Sequence, residues 1–401
     1  MTQPVPDAPA TAVRPPGPSG GRLPTAGPHA GPPPAAGPHA AGRHAAGALD
    51  RTAAPPLPGL DVTLLDAWLR HAHPHLATDE PLRATLFAGG RSNLTYRVDG
   101  ARVPLVLRRP PLGHVQETAH DMAREHRVIH ALGGTRVPVP ATVDLVDDTD
   151  GSAGTGTPFF VMERVEGEAI SDPAQNAAYS PAELRAVSLE LAELLAELHT
   201  LDPGSVGLAD LGRPDGYLGR QLHRWGRQYD GSRSRDLPAL DALQERLREH
   251  VPGTVRTGLV HGDYRLDNAL VSRTGGVHVA AVLDWEMATL GDAAVDLGML
   301  GLYWDIRRIA PPDGLTASAV DPAAGYPDFA ELADAYAARL GSSVPELSWY
   351  RAFAAYKLAV ILEGVHFRYR AGETVGEGFD AIGAMVLPLA GEGLARLDGA
   401  S

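Results

Sequence analysis

The chain has 401 residues, enough to bury a sizeable core, and it contains no cysteine, which excludes disulfides, thiolate metal sites and thiol catalysis. Its formal net charge of -14 disfavours nucleic acids and anionic membranes as partners, because both are recognised through clustered lysine and arginine. The hydrophobic fraction of 44% and charged fraction of 21% suit an enzyme and a binding module equally well.

Residues 1–56 are dominated by alanine, proline and glycine, a composition that predicts a disordered tail. Its histidines at positions 29, 39 and 44 have no cysteine or aspartate partners, which favours low-complexity sequence over a metal site. The tail lacks a secretory apolar run, and no later segment offers the roughly 18 apolar residues of a membrane helix. We therefore expect a cytoplasmic protein without membrane contact.

Residues 57–163 are predicted to form a small antiparallel sheet with a leading helix and a helix at 117–132. Gly-Gly and Asp-Gly pairs separate the first three strands, as in hairpins. The predicted strands are residues 84–87, 94–98, 103–107, 142–146 and 159–162.

Residues 164–401 are predicted to be mainly helical. The clearest helix begins at Ser180-Pro181, behind which leucines recur at helical spacing up to His199. Short strands at 257–260, 269–272 and 277–283 interrupt the helical pattern, the last two as a hairpin. Further helices are predicted at 217–229, 239–250, 329–340, 345–370 and after Gly378. The plan is an α+β fold in two lobes.

One stretch carries recognisable chemistry, His261-Gly262-Asp263 followed by Asn268 and, after the hairpin, by Asp284. The spacing matches the kinase loop H-R-D-x-x-x-x-N and its metal-binding D-F-G. Phosphoryl transfer needs a carboxylate to accept the hydroxyl proton, a role that fits Asp263. It also needs oxygen ligands for Mg²⁺, and the hairpin brings Asn268 and Asp284 together for that role.

The H-G-D-x-x-x-x-N form at 261–268, with Asp-Trp-Glu at 284–286, resembles aminoglycoside phosphotransferases and choline-kinase-like enzymes. The segments 107–111 and 119–125 resemble one branch, the phosphotransferases associated with acyl-CoA dehydrogenases. The resemblance runs from about residue 87 to 298. It implies a protein-kinase-like fold, with a small β-sheet N-lobe carrying one helix and a larger helical C-lobe, and the cofactors ATP and Mg²⁺.

A glycine-rich turn between the first two strands could cover phosphates with its backbone amides, although most such turns only connect strands. Its residues are Gly89, Gly90, Arg91, Ser92 and Asn93. The motif G-x-x-x-x-G-K-[ST] is absent from the sequence, which excludes the P-loop class. The resemblance also implies that adenine lies against the backbone between Glu163 and Val165.

Kinases carry a lysine on the third strand that pairs with a glutamate on the next helix. Here strand alternation sends Arg108 and Arg109 to opposite faces, and the family pattern selects Arg108, with Glu125 as its partner. An arginine can bind phosphate and carboxylate bidentately but is not equivalent to lysine. In the alternative interpretation the two residues do not form a functional pair: Arg108 is a solvated strand residue and Glu125 is a charge on the helix surface.

Two positions of the loop distinguish it from protein kinases. Gly262 replaces the arginine that senses activation-loop phosphate, which leads to the hypothesis of constitutive activity. Arg265 lies where protein kinases carry a lysine that steadies the transferred phosphoryl group, although it could instead form an ordinary surface ion pair.

The predicted function is ATP- and Mg²⁺-dependent transfer of a phosphoryl group to a hydroxyl of a small molecule. Basic residues on two helices would favour an anionic acceptor, for instance one resembling a hydroxyacyl-CoA, if they face the cleft. These are His223, Arg224, Arg227, His366, Arg368 and Arg370. A pseudokinase-type module that binds without transfer is the alternative, and a hydrolytic metal site is disfavoured because paired histidines are missing. The sequence leaves the oligomeric state open.

Overall fold

The structure, a computed structural model, describes residues 57–87, 93–112, 121–310, 318–372 and 381–399. The predicted tail and most of the glycine-rich turn lie outside these ranges. Among the described residues, none of the helices combines the length and apolar character needed to cross a bilayer.

The N-terminal part is built around a five-stranded antiparallel sheet with strand order β1-β2-β3-β5-β4. The strands are β1 (Arg83–Leu86), β2 (Leu94–Asp99), β3 (Leu105–Arg109), β4 (Thr142–Val146) and β5 (Phe159–Glu163). Helix α1 (Val62–Ala72) begins at Asp61, whose carboxylate accepts the amide hydrogens of Thr63 and Leu64. Helix α2 (Met122–Leu132) packs on β4 and β5. Residues 117–120 of the predicted helix lie outside the described ranges.

The C-terminal part is mostly helical. Its helices are α3 (Pro181–Thr200), α4 (Tyr217–Ser232), α5 (Pro238–Glu249), α6 (Ala294–Trp304), α7 (Ile306–Ile309), α8 (Phe329–Leu340), α9 (Ser348–Arg370) and α10 (Val386–Leu397). Helix α9 is buried along most of its length and packs against α4, α5, α6 and α10. Helix α3 begins with the predicted Ser180-Pro181 pair, and Ser180 forms a capping box with Glu183.

Two short sheets in this part bring the motif segments together. Their strands are β6 (Glu168–Ala169), β7 (Thr257–Val260), β8 (Ala269–Ser272), β9 (His278–Val282) and β10 (Thr289–Asp292). Strand β7 pairs with β10, and β8 pairs with both β6 and β9. Residues 261–268 therefore start at the end of β7 and finish at β8, while residues 283–288 connect β9 to β10. We name these segments after their predicted roles, the catalytic loop and the metal-binding loop.

A continuous hydrophobic core lies beneath both loops. It joins Phe160 of the large sheet to Leu191 of α3, and it includes Tyr264 and Trp285 from the two loops. The Tyr264 hydroxyl donates to the Leu191 carbonyl at 2.8 Å, and the Trp285 indole N–H donates to the Val282 carbonyl at 2.9 Å. These anchors fix both loops to the core, and the side chains of Asp263 and Asp284 remain partly exposed.

The predicted α+β fold, an antiparallel sheet followed by a mainly helical part, is confirmed. Helix α6 is the main element that the sequence pattern did not predict. All of its residues except Tyr303 are buried, so it shows no alternation between an apolar and a polar face. The boundary between residues 163 and 164 stays a prediction.

Candidate active site

The start of the catalytic loop is fixed by the buried carboxylate of Asp296, in the first turn of α6. Its oxygens accept the backbone N–H of His261 at 2.6 Å and of Gly262 at 2.8 Å, and His199 Nε2 lies 3.3 Å away. Burial alone would raise the pKa of Asp296, but these hydrogen bonds and the nearby histidines hold it below its ordinary value. Asp296 therefore acts as an ionised brace for the loop.

Gly262 adopts a backbone conformation that glycine alone accommodates easily. Its φ is 90°, and a Cβ placed there would lie 2.8 Å from Met287 Cβ and 3.0 Å from the Met287 carbonyl oxygen. The catalytic loop thus passes directly against the metal-binding loop at this point. The glycine that replaces the protein-kinase arginine is required by this close approach.

Asp263 and Asn268 face each other across the catalytic loop. Asn268 Nδ2 donates to the Asp263 carboxylate at 3.0 Å and to the Asp263 carbonyl at 2.8 Å. The Asp263 N–H in turn donates to His261 Nδ1 at 3.2 Å. The carboxylate of Asp263 is only partly buried, so it is held in one orientation and remains reachable from outside.

Asn268 and Asp284, the two proposed metal ligands, are neighbours as the hairpin predicted. The Leu283 N–H donates to the Asn268 carbonyl at 2.7 Å, which places Asp284 beside the catalytic loop. Asp284 has φ 67° and ψ 60°, and it is the only non-glycine residue with positive φ in the described part of the chain. A left-handed aspartate is uncommon and occurs where surrounding structure enforces it.

The donor chemistry of this pair suits Mg²⁺. The Asn268 amide nitrogen is committed to Asp263, which leaves its oxygen and the Asp284 carboxylate as hard ligands. The described residues hold no group of three or more histidine, aspartate or glutamate side chains able to bind a metal. Mg²⁺ commonly takes only one or two protein carboxylates and completes its shell with phosphate oxygens and water. The site therefore fits a metal that arrives with a nucleotide.

Arg108 lies at the centre of an acidic cluster between β3, α2 and the metal-binding loop. Its guanidinium is 3.1 Å from Glu125, 2.7 Å from Asp284 and 3.6 Å from Glu286. The contact with Glu125 is an ion pair whose alignment falls short of a hydrogen bond. Arg109 points to the opposite face and donates to the Gly59 and Thr155 carbonyls, as strand alternation predicted.

The acidic cluster affects the two partners of the Arg108–Glu125 pair differently. Burial raises the pKa of Glu125 to about 7, opposed by Arg108 and assisted by repulsion from Asp284 and Glu286. Burial alone would lower the pKa of Arg108, but the three carboxylates together raise it. One guanidinium thus gains from three anions, whereas each anion has one cation and two like-charged neighbours. The cluster has three carboxylates and one guanidinium, and a metal ion or a proton would neutralise part of its excess negative charge.

Arg265, within the catalytic loop, is held by two aspartates and an aromatic ring. Its guanidinium contacts Asp267 at 3.0 Å, lies 3.5 Å from Asp263 and stacks over the Tyr303 ring at 4.8 Å. Burial alone would lower the pKa of Arg265, but Tyr303 and the nearby aspartates raise it. Burial, and next the nearby Asp263 carboxylate, raise the pKa of the hydroxyl of Tyr303, on α6. Sequence reasoning missed Tyr303 because α6 was not predicted.

The predicted nucleotide contacts are only partly described. Gly89, Gly90, Arg91 and Ser92 lie outside the described residues. Asn93 is described and donates to Glu286 at 3.1 Å, which connects the end of the turn to the metal-binding loop. Glu163 ends β5 with an exposed side chain. Among the described residues, none accepts a hydrogen bond from the backbone N–H of Val165, so this donor is available to a ligand.

A wide cleft of about 850 Å³ opens beside Gly262 and the metal-binding loop. Helices α4 and α9 form much of its wall through Trp225 and Phe353. The charged side chains that line it are Arg124, Arg224, Arg227, Lys357, Arg368, Asp121 and Glu286. Three of the predicted basic residues therefore face this cleft, whereas His366 and Arg370 line a separate one. Cations outnumber acids along the wall.

Lys357 of α9 was not predicted as a site residue. It is 4% exposed, and its ammonium donates to the Gly262 carbonyl, immediately before Asp263. Its helix is buried and shows little amphipathic pattern, so the position of the lysine in the sequence did not indicate which way its side chain faces. The signal available was its rarity, since it is the only lysine among 35 lysines and arginines.

Comparisons with known proteins agree with this geometry. Residues 83–353 match the family model described as APH, phosphotransferase enzyme family. Acyl-CoA dehydrogenase family member 11 of Rattus norvegicus is 34% identical over 339 residues, which cover 83% of this chain. The match covers 43% of that protein, so the chain spans less than half the length of this relative.

Solved structures show the same fold. A protein from Ralstonia eutropha, provisionally described as an aminoglycoside phosphotransferase, is 34% identical with a TM-score of 0.71. That alignment covers 85% of this chain and 99% of the other. The aminoglycoside phosphotransferase APH(4)-Ia, solved with AMP-PNP and hygromycin B, has a TM-score of 0.53 at 14% identity, covering 84% and 99%. At that identity the likeness shows the fold alone.

The resemblance inferred from the motifs is thereby confirmed, including its acyl-CoA dehydrogenase-associated branch. The matched region contains both loops, the acidic cluster around Arg108 and the first part of α9. The chain belongs to the APH family of phosphotransferase enzymes.

Proposed function

We propose that the chain transfers the γ-phosphoryl group of ATP, with Mg²⁺, to a hydroxyl of a small molecule. The observation that carries this proposal is the convergence of Asp263, Asn268 and Asp284. Family membership supports phosphotransferase chemistry, and APH(4)-Ia, a protein of the same fold, holds the ATP analogue AMP-PNP.

In this reaction Asp263 accepts the proton of the acceptor's hydroxyl group, and the oxygen of that hydroxyl forms a bond to the γ-phosphorus. The bond from that phosphorus to the bridging oxygen breaks, and ADP leaves. Arg265 lies beside Asp263 and would stabilise the charge on the transferred group. Asn268 and Asp284 would hold Mg²⁺, which supplies charge neutralisation at the phosphates when bound.

The remaining nucleotide contacts come from the N-terminal part. Arg108, positioned by Glu125, would bind phosphate oxygens, and the Val165 N–H with the Glu163 backbone would meet the adenine edge. The turn of residues 89–93 would cover the phosphates with its amides. The acceptor would occupy the wide cleft, where the excess of cations favours an anionic hydroxy compound, for instance one resembling a hydroxyacyl-CoA.

Thermal unfolding with ATP, with and without Mg²⁺, tests the proposal without knowledge of the acceptor. A ligand at one hundred times its Kd stabilises the folded state by about 2.7 kcal/mol, so we expect a clear Mg²⁺-dependent rise in Tm. Asp284→Ala should abolish the Mg²⁺-dependent part of the rise. Asp210→Ala, which removes a carboxylate whose side chain is 76% exposed, is the matched control. An unchanged Tm at saturating ATP and GTP would contradict the nucleotide site.

A module that binds nucleotide without transfer is the second candidate. The observation that favours it is the 2.7 Å contact between Arg108 and Asp284, because the guanidinium competes with a metal for that carboxylate. ADP formation distinguishes the two. A Mg²⁺-dependent rise in Tm without ADP release, over a panel of hydroxy acids and with water alone, would support binding without transfer.

A further inference from the structure

The chain's single lysine lies at the boundary between the catalytic loop and the wide cleft. Lys357 Nζ donates to the Gly262 carbonyl, lies 3.8 Å from Met287 Sδ and is 5.4 Å from the centre of the Trp225 ring. An ammonium has three N–H donors, and the Gly262 carbonyl uses one of them. The thioether and the aromatic face are weak partners, so hydrogen-bonding capacity remains on the side that lines the cleft.

The surroundings of Lys357 add positive charge. Arg224 lies close enough to lower the pKa of Lys357, although burial is the main cause and Asp263 and Asp296 oppose both. Within the described part of the chain, no carboxylate forms an ion pair with Arg224 or Arg227. Lys357 is buried and forms no ion pair within the described residues, whereas buried charges in folded proteins are normally paired, so its side of the cleft suits an incoming anion. Arg224 and Arg227 are exposed and add positive charge to the same cleft.

A cation at this position would offset the repulsion between Asp263 and an anionic group of the acceptor held close to it. An anion that approaches Asp263 meets a carboxylate, and like charges a few ångströms apart repel each other strongly at low dielectric. Lys357 lies beside the residue that precedes Asp263. A compact ammonium with three donors can contact the Gly262 carbonyl and a second oxygen together, whereas a planar guanidinium presents its donors in a fixed fork.

We propose that Lys357 is the specificity-determining residue of the acceptor site, and that it binds a carboxylate or phosphate oxygen of the acceptor beside Asp263. Arg224, which lines the same cleft, supplies the second positive charge. This inference rests on the proposed function. It adds to that function the residue that recognises the negative charge of the acceptor.

Binding of simple anions tests the inference. We would titrate inorganic phosphate, acetate and uncharged acetamide by calorimetry at constant ionic strength, with AMP-PNP and Mg²⁺ present. We expect the wild type to bind one or both anions and not acetamide, and the better anion identifies the acceptor group. Lys357→Met should weaken that binding at least tenfold, and Lys357→Arg should restore part of it. Arg136→Met, which removes an arginine whose side chain is 73% exposed, should bind like the wild type.

The single lysine also allows a measurement on the unmodified protein, which serves if Lys357→Met does not fold. Trinitrobenzenesulfonate reacts with amines, and peptide mass spectrometry separates Lys357 from the α-amino group. The bound anion should slow the modification of Lys357 at least threefold and leave that of the α-amino group unchanged. Equal anion affinity in Lys357→Met, absence of anion binding in the wild type, or unprotected modification would each overturn the inference.

The two proposals fail separately. Anion binding that depends on Lys357, in a protein that shows no Mg²⁺-ATP stabilisation, would overturn the proposed function alone. If Mg²⁺-ATP stabilisation is normal and the anion affinity is the same in the wild type and Lys357→Met, the inference alone is overturned.

Discussion

At the scale of single residues, the candidate site depends on a few side chains that each hold another in place. Asn268 orients Asp263, Asp296 fixes the backbone ahead of it, and Arg108 draws three carboxylates together. Because these contacts are shared, the loss of one partner changes the environment of the next. The effect of a substitution therefore reveals whether a side chain reacts or only supports.

Asp263→Asn tests the role of Asp263 as the proton acceptor. The amide is nearly isosteric but cannot accept a proton, so we expect ADP formation to fall by about a hundredfold to ten-thousandfold. Stabilisation by Mg²⁺-ATP should stay close to that of the wild type, since Asp263 is not a proposed metal ligand. Asp210→Asn is the exposed control. Full activity in Asp263→Asn would remove this residue from the mechanism.

At the scale of elements, the two short sheets hold the catalytic loop and the metal-binding loop in contact. Strand β7 pairs with β10, with Val260 opposite Thr289, and the Leu283 N–H donates to the Asn268 carbonyl. The closest approach is at Gly262, where space for a side chain is lacking. The geometry of the site is thus set by backbone contacts between loops as much as by side chains.

Gly262→Ala tests this close approach against a matched position. Gly275, at the tip of the β8–β9 hairpin, has a similar φ of 79° but no atom within 4 Å of an added Cβ. Both variants carry the strain of a left-handed alanine, about 1–2 kcal/mol. Gly262→Ala adds overpacking against Met287 of about 1–3 kcal/mol and should also reduce ADP formation. Urea unfolding that shows equal losses for both variants would contradict the argument.

At the scale of the whole molecule, the acidic cluster joins the N-terminal sheet to the metal-binding loop, so its protonation affects global stability. Glu125 is 1% exposed and its pKa is raised to about 7. A carboxyl with a raised folded pKa stabilises the protein fully below its unfolded pKa, and this contribution is lost as the pH rises to 7. Glu125 therefore favours folding more at pH 4.5 than at pH 7.5.

Glu125→Gln isolates this effect. The difference in the free energy of unfolding between wild type and variant should decrease as the pH rises from 4.5 to 7, by at most about 1.4 kcal/mol per pH unit. Urea titrations at several pH values measure it. Glu183→Gln, at a partly exposed carboxylate whose pKa is lowered by its capping hydrogen bonds, is the control and should show no decrease in this range. Parallel curves for wild type and Glu125→Gln would contradict the prediction.

Local patterns in the sequence determined most of the elements and the order of the chemical groups. Amphipathic helices such as α3 and α8 were predicted closely because each buries one face, and the first three strands of the large sheet were predicted from the turns between them. The spacing of Asp263, Asn268 and Asp284 indicated one site because a hairpin must fold back on itself. Strand alternation correctly separated Arg108 from Arg109.

Tertiary structure alone decided what surrounds those groups. Helix α6 is buried on nearly every side, so it carries no period that a sequence pattern could reveal, and with it Tyr303 was missed. The left-handed backbone of Asp284 and the contact of Lys357 with Gly262 depend on segments far apart in the chain. Sequence spacing specifies which groups a short segment presents, whereas burial and charge depend on packing between distant segments, and packing exists only in the folded chain.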